Sequence, residues 1–286
     1  MMKDNILWIF LHLQRSGGTT FNGHLQKRLK PGEFIHLGNP WVAEKERRKI
    51  IPFDKLPLGE RKKAKVIVGH KAYYGVHNLV PGKIPRYITF VRDPAERIVS
   101  YYNSRIWHGK IPSFERWYRS RRKNEMVHFY SSKYGGNEDT SKVPSFFGKL
   151  NRLFPGEEKR IYFLKFLLRK IGFLEQNKEK EFENAKKMLD LCWFTGITEK
   201  SDRDFKILFK SLGVDSNKWI NYAVTGDKKT QEINPLHKKI EKRFILDNKT
   251  RKKICKDNPL DYKLYKYALK LNKKLREKLI SLSVFI

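Results

Sequence analysis

Apolar residues along this chain fall into short solid blocks, separated by longer stretches in which they recur every three or four positions. The first block, ILWIFLHL at 6–13, holds two isoleucines and two aromatics and runs into a glycine-rich turn. A short apolar run that ends in a turn signal predicts a strand buried on both faces. Blocks of the same kind predict strands at 65–69 (KVIVG), 86–91 (RYITFV) and 192–197 (CWFTGI). Helical spacing predicts helices over 21–29, 95–106, 145–153, 157–171, 180–191, 201–212, 236–246, 250–256 and 261–281. Asp93 before Pro94 is a start signal for the second of these, and Ser201 and Asp261 read as caps. Residues 31–64, with Pro31, Pro40, Pro52 and Pro57, read as loops with one short helix.

Strands separated by helices imply an α/β fold: a P-loop-like, three-layer domain with a central, mostly parallel sheet flanked by helices. The expected organisation is a single domain over 1–286 with a helical C-terminal part at 235–286. Residues 107–145 break the rhythm. They mix Trp107, Phe114, Trp117, Tyr118, Phe129 and Tyr130 with five closely spaced cations from Arg116 to Lys123, and read as a long irregular insertion.

Charge changes the picture more than size does. The formal net charge is +32 over 286 residues, which favours acidic partners: an anionic cofactor, an anionic polysaccharide, nucleic acid or a membrane surface. Part of it is the ordinary lysine coating of helix surfaces. Cys192 and Cys255 make no disulfide framework and no metal cluster, and they fit a reducing compartment. The run at 6–13 is too short to span a membrane and lacks the small-residue cleavage site of a signal peptide, so the expected location is the cytoplasm.

The candidate chemistry sits at strand ends. After the first strand come Gln14, Arg15, Ser16, Gly17, Gly18, Thr19 and Thr20, then a helix. Strand, glycine turn, helix is the layout of a phosphate cradle, in which backbone N–H groups and the helix N-terminus meet an anion. It is not a Walker A loop, because the cation precedes the glycines and no GK[ST] follows. The second strand ends at His70 and the third at Arg92. Ligands of open parallel sheets bind beyond the carboxyl ends of the strands, so the three clusters can converge. Arg92 and Ser100, on the helix that follows, suit a second phosphate, while Asp93 and Arg97 read as an i,i+4 ion pair.

HLQRSGGTTF at 12–21, together with YITFVRDPAERIVSYY at 87–102, resembles the two cofactor motifs of sulfotransferases. The nearest flavour is the carbohydrate branch with the heparan sulfate 2-O- and 6-O-sulfotransferases. Fainter echoes are GHKAYYGVH at 69–77, WFTGITE at 193–199 and NPLDYKLY at 258–265. The resemblance implies 3′-phosphoadenosine 5′-phosphosulfate (PAPS) as donor, PAP as product, and a hydroxyl of an oligo- or polysaccharide as acceptor. It assigns the 5′-phosphosulfate to Arg15, Ser16, Gly17, Gly18, Thr19 and Thr20, with Arg15 in place of the branch's lysine. It assigns the 3′-phosphate to Arg92 and Ser100. His70 is the expected base, with His77 second, and Arg152 echoes a further family arginine. In that setting 107–145 becomes an acceptor-side insertion. No metal is needed, and the oligomeric state stays open. Two other readings compete. A P-loop-like nucleotide or small-molecule kinase lacks its lysine and a clear Walker B acid here, and a basic nucleic-acid-binding protein lacks any recognition-helix, RNP or zinc-finger pattern.

Overall fold

A computed structural model describes residues 5–26, 28–38, 51–106, 112–134, 178–214 and 243–283. Five strands form one sheet: β1 (Ile6–Leu11), β2 (Phe34–His36), β3 (Val66–Gly69), β4 (Ile84–Val91) and β5 (Phe194–Ile197). Their order is β2-β3-β1-β4-β5, and every neighbouring pair is parallel. β1 is therefore central, flanked by β3 in register Phe10↔Val68 and by β4 in register Phe10↔Ile88. From β1 the chain reaches the β2 edge, returns through β3 beside β1 and then crosses to the β4 side, so a crevice opens at the C-terminal end of β1.

The helices are α1 (Gly18–Gln26), α2 (Leu58–Lys62), α3 (Pro94–Ile106), α4 (Phe114–Arg119), α5 (Glu125–Tyr134), α6 (Lys178–Asp190), α7 (Ser201–Leu212), α8 (Asn248–Asp257) and α9 (Pro259–Ser283). Alternation along the strands sends odd and even side chains to opposite layers. Leu7, Ile9 and Leu11 pack with Met126, Tyr130, Met188 and Leu264 from α5, α6 and α9. Trp8 and Phe10 pack with Phe21 and Leu25 of α1 and Phe205 and Phe209 of α7. The expected three-layer α/β architecture is the one observed.

Four stretches differ from the sequence reading. β2 lies inside the stretch read as loops, because a three-residue edge strand carries too little pattern to register. Residues 114–119 and 125–134 are helices rather than irregular chain. Their aromatics Phe114, Trp117, Tyr118 and Tyr130 are buried as packing residues, and Phe114, Trp117 and Tyr118 join α3 and Ile254 in a third cluster. Residues 243–247 form no helix. The helices expected over 145–153 and 157–171, the rest of 236–246, and Arg152 lie outside the described residues.

Helix α3 starts as expected: the Asp93 carboxylate accepts the N–H groups of Ala95 and Glu96, both at 3.0 Å. The expected Asp93–Arg97 pair does not form. Asp93 instead takes Arg251 at 3.1 Å, and buried Arg97 reaches Glu125 at 3.0 Å. Lys200, not Ser201, occupies the position before α7. Asp261 caps a helix, but not its own. Its carboxylate accepts Val127 N–H at 3.0 Å and Met126 N–H at 3.2 Å, at the start of α5. Asn124 returns the favour by accepting Leu260 N–H at 3.0 Å and Asp261 N–H at 3.2 Å, at the start of α9. The two helix N-termini thus satisfy each other's orphan donors in a buried place. Asp261→Ala should cost about 2–3 kcal/mol, from two buried amides left without acceptors. Urea unfolding of the variant against wild type measures the loss.

Candidate functional site

The site is built at the ends of β1, β3 and β4. The turn from β1 into α1 is tight: Arg15 and Gly17 both have left-handed backbone, at φ 65° and 78°. A β-carbon on Gly17 would stand 3.0 Å from the Phe205 ring. One on Gly18 would stand 1.8 Å from Nε2 of His12, so the His12 ring covers the first residue of α1 and only glycine fits beneath it. The non-glycine left-handed residue marks stored strain, which clusters where a loop must approach a ligand.

The first amide bond inside α1 runs from Phe21 N–H to Gly17 O at 3.2 Å. The amides of residues 18–20 therefore have no partner within the helix and face its N-terminal end. Ser16 is completely buried and its hydroxyl has no hydrogen-bond partner in the structure. A buried, unsatisfied hydroxyl beside the first amides of a helix is the donor set of an anion cradle.

The second cluster touches the first. Arg15 Nε donates to Ser100 Oγ at 3.0 Å, and Arg92 Nη1 donates to Arg15 O at 3.3 Å. Residues 85 and 77 positions apart in the chain thus meet at one spot. Burial, and then Arg92, lower the Arg15 guanidinium to about 10, and burial lowers Arg92 as well. Behind them, Glu199 accepts Asp93 N–H at 2.9 Å and the Tyr265 hydroxyl at 3.1 Å, joining β5 and α9 to the start of α3.

The third strand end brings His70. Its Nδ1 lies 2.8 Å from the His12 carbonyl, and its ring stacks on that of His12 with centroids 4.3 Å apart. A carbonyl only accepts, so Nδ1 carries the proton and Nε2 keeps its lone pair. Burial lowers the pKa of His70, with a further push from Lys133. The sequence reading passed over this lysine. Lys133 Nζ donates to the His70 carbonyl at 2.6 Å from the last turn of α5, and Lys133 O accepts Tyr74 N–H at 2.9 Å. His77 stands elsewhere. Its Nδ1 is 2.8 Å from the hydroxyl of Tyr87, which pairs with Ile9 in mid-sheet. Among the described residues no group of His, Cys, Asp and Glu has the arrangement to hold a metal ion.

The structure therefore brings Arg15–Thr20, Arg92, Ser100 and His70 together and leaves His77 apart. A family model described as "Sulfotransferase family" matches residues 1–268. The chain belongs to the sulfotransferase family. No curated protein matches it at a significant level. The match spans every strand, and sulfuryl transfer in general follows from it. In this sulfotransferase the His12–Gly18 contact holds the turn against the sheet. Gly18→Ala should drive the His12 ring off the turn and off His70, and lower stability by about 2 kcal/mol or more through overpacking. Thermal unfolding of the purified variant reads that loss.

Proposed function

We propose that this sulfotransferase moves the sulfuryl group of PAPS to a hydroxyl of an oligo- or polysaccharide. The observation that carries the reading is the direct contact of the two anion-binding clusters through Arg15 Nε and Ser100 Oγ at 3.0 Å. A nucleotide with a phosphate at each end of one ribose needs two grips at close quarters. The buried hydroxyl of Ser16, which has no protein partner, fits the 5′ group. Sugar as acceptor rests on the resemblance to the carbohydrate branch and on the +32 charge. A cytoplasmic location fits the two free cysteines, and among the described residues no helix is long and apolar enough to cross a membrane.

When bound, PAPS supplies the sulfuryl group and a nucleotide leaving group. Ser16, Gly17, Gly18, Thr19 and Thr20 hold the 5′ end by amides and hydroxyls, and Arg92 and Ser100 hold the 3′-phosphate. Ser100 accepts from Arg15, so its own proton is available for a phosphate oxygen. Arg15 places a buried positive charge where negative charge grows on the leaving oxygen. His70 presents Nε2 to the acceptor hydroxyl and takes its proton, while Nδ1–H stays on the His12 carbonyl. The resulting imidazolium keeps a fixed orientation, as a general base requires.

Two outcomes test this reading. Arg92→Ala should weaken PAP binding about tenfold to a hundredfold, the loss expected for hydrogen bonds to a charged group; calorimetry measures it, and unchanged affinity removes Arg92 from the 3′ grip. His70→Ala should bind PAP normally yet lose roughly 10²–10⁴-fold in transfer of radiolabelled sulfate to an acceptor library, whereas His77→Ala should retain turnover. Loss of turnover only in the His77 variant would move the base there.

A further inference from the structure

Lys133 presents an electrostatic problem that the described residues do not solve. It sits in the last turn of α5, with most of its side chain inside, between the end of β3 and the loop that follows. Among the described residues its ammonium makes one hydrogen bond, to the His70 carbonyl, and lies 5.2 Å from the centre of the Phe129 ring. No carboxylate pairs with it among the described residues. A lysine has three donors, and burial without an anionic partner is costly. A solvent-facing lysine would float free of that cost, but this one is held against the end of the sheet, beside the group that would accept the substrate proton. Its own main chain is fixed too, through the Tyr74 N–H bond to Lys133 O.

We infer that Lys133 is an anion-binding residue of the transfer site, taking a sulfonate or carboxylate oxygen presented beside His70. The inference deepens the PAPS reading and rests on it. An anion there completes the lysine's hydrogen bonds and neutralises its buried charge. Two sources share the chemistry: the sulfonate of the donor and an acid group on a sugar acceptor. Desolvation, and then Lys71, lower the Lys133 ammonium to about 8, so it is mostly charged at neutral pH and mostly neutral above pH 9. The groups around it are His70 and, next to His70, His12 and His36, with Lys71 on the following loop; burial lowers all three histidines, so none of them competes as a cation at pH 7 or above.

The test compares wild type, Lys133→Met and Lys133→Arg. In one arm PAP and PAPS are titrated at pH 7 and pH 9. In the other, a hexuronate-bearing oligosaccharide and its carboxyl-reduced form are titrated into the PAP complex. If the donor sulfonate is the ligand, wild type prefers PAPS over PAP about tenfold to a hundredfold. That preference collapses in Lys133→Met and in wild type at pH 9, and it survives at pH 9 in Lys133→Arg. If the acceptor acid is the ligand, the same pattern appears in the preference for the acidic sugar instead. Should Lys133→Met not fold, the pH dependence of wild type against Lys133→Arg decides. Preferences absent from wild type, or unchanged by both the methionine variant and pH, overturn the assignment while normal PAP binding leaves the PAPS reading standing. Wild type that binds neither PAP nor PAPS overturns both.

Discussion

His12 is the hinge of this structure, because one residue between β1 and the glycine turn makes three contacts that cannot be made independently. Its ring rests where a side chain on Gly18 would otherwise be, its face stacks on His70, and its carbonyl accepts the His70 Nδ1–H hydrogen bond. The first contact fixes how α1 leaves the sheet, and hence where the amides of residues 18–20 point. The other two fix the tautomer and plane of His70 on the neighbouring strand. The glycine turn and the His70 imidazole are therefore both set by a single buried ring, which burial, and then its neighbours His70, His36 and Arg15, keep from charging. Charging that ring would put a cation between Arg15 and the other histidines, at a cost that grows as the local dielectric falls.

The site pays for its shape in like charge. Arg15, Arg92 and Lys133 all come to the same rim of the sheet, and burial lowers the pKa of each. Acidic groups are present, but they are already engaged: Asp93 caps α3 and meets Arg251, Glu96 also takes Arg251, and Glu199 accepts Asp93 N–H and Tyr265. Those carboxylates hold elements in place around the cations and screen them only partly. Such an arrangement is unstable as a resting set of charges and favourable once an anion with several oxygens enters, which is the sense in which a binding site differs from a salt-bridge network.

Much of this was legible in the chain. Solid apolar blocks ending in Arg15–Thr20, His70 and Arg92 placed the strands and their polar ends, since strands buried on both faces leave an unmistakable run. Asp93 and Pro94 announced α3 by local backbone chemistry alone. What escaped was non-local. β2 has three residues and earns its strand geometry from pairing with β3, not from its own pattern. Phe114, Trp117 and Tyr118 looked like a surface for ligands because they alternate with arginines, yet the helix period turns the aromatics into the third cluster and leaves Arg116 and Arg119 in solvent. Lys133 lay unremarked in a stretch read as irregular chain, one lysine among many. Only the packing of α5 against the end of β3 sets it apart.

That packing is determined a long way from the site. Helix α5 is held at its start by the exchange of caps with α9, where Asp261 and Asn124 each satisfy the other helix's amides, and by Arg97 reaching Glu125 from α3. Asn124 adopts a left-handed backbone, φ 54°, which aims its side chain back at α9, and its own N–H goes to Asn258 at 2.9 Å. Burial raises the Asp261 carboxyl to about 6, so its native form carries a cost near neutral pH that Arg97 offsets in part. A helix of ten residues is stiff, so fixing its first turn fixes its last. The buried polar network at one end of α5 therefore sets where Lys133 stands at the other, and the same Arg97 belongs to the helix that carries Ser100. Through α3 and α5, the Arg97–Glu125 ion pair ties the cation beside His70 to the Ser100 hydroxyl beside Arg15.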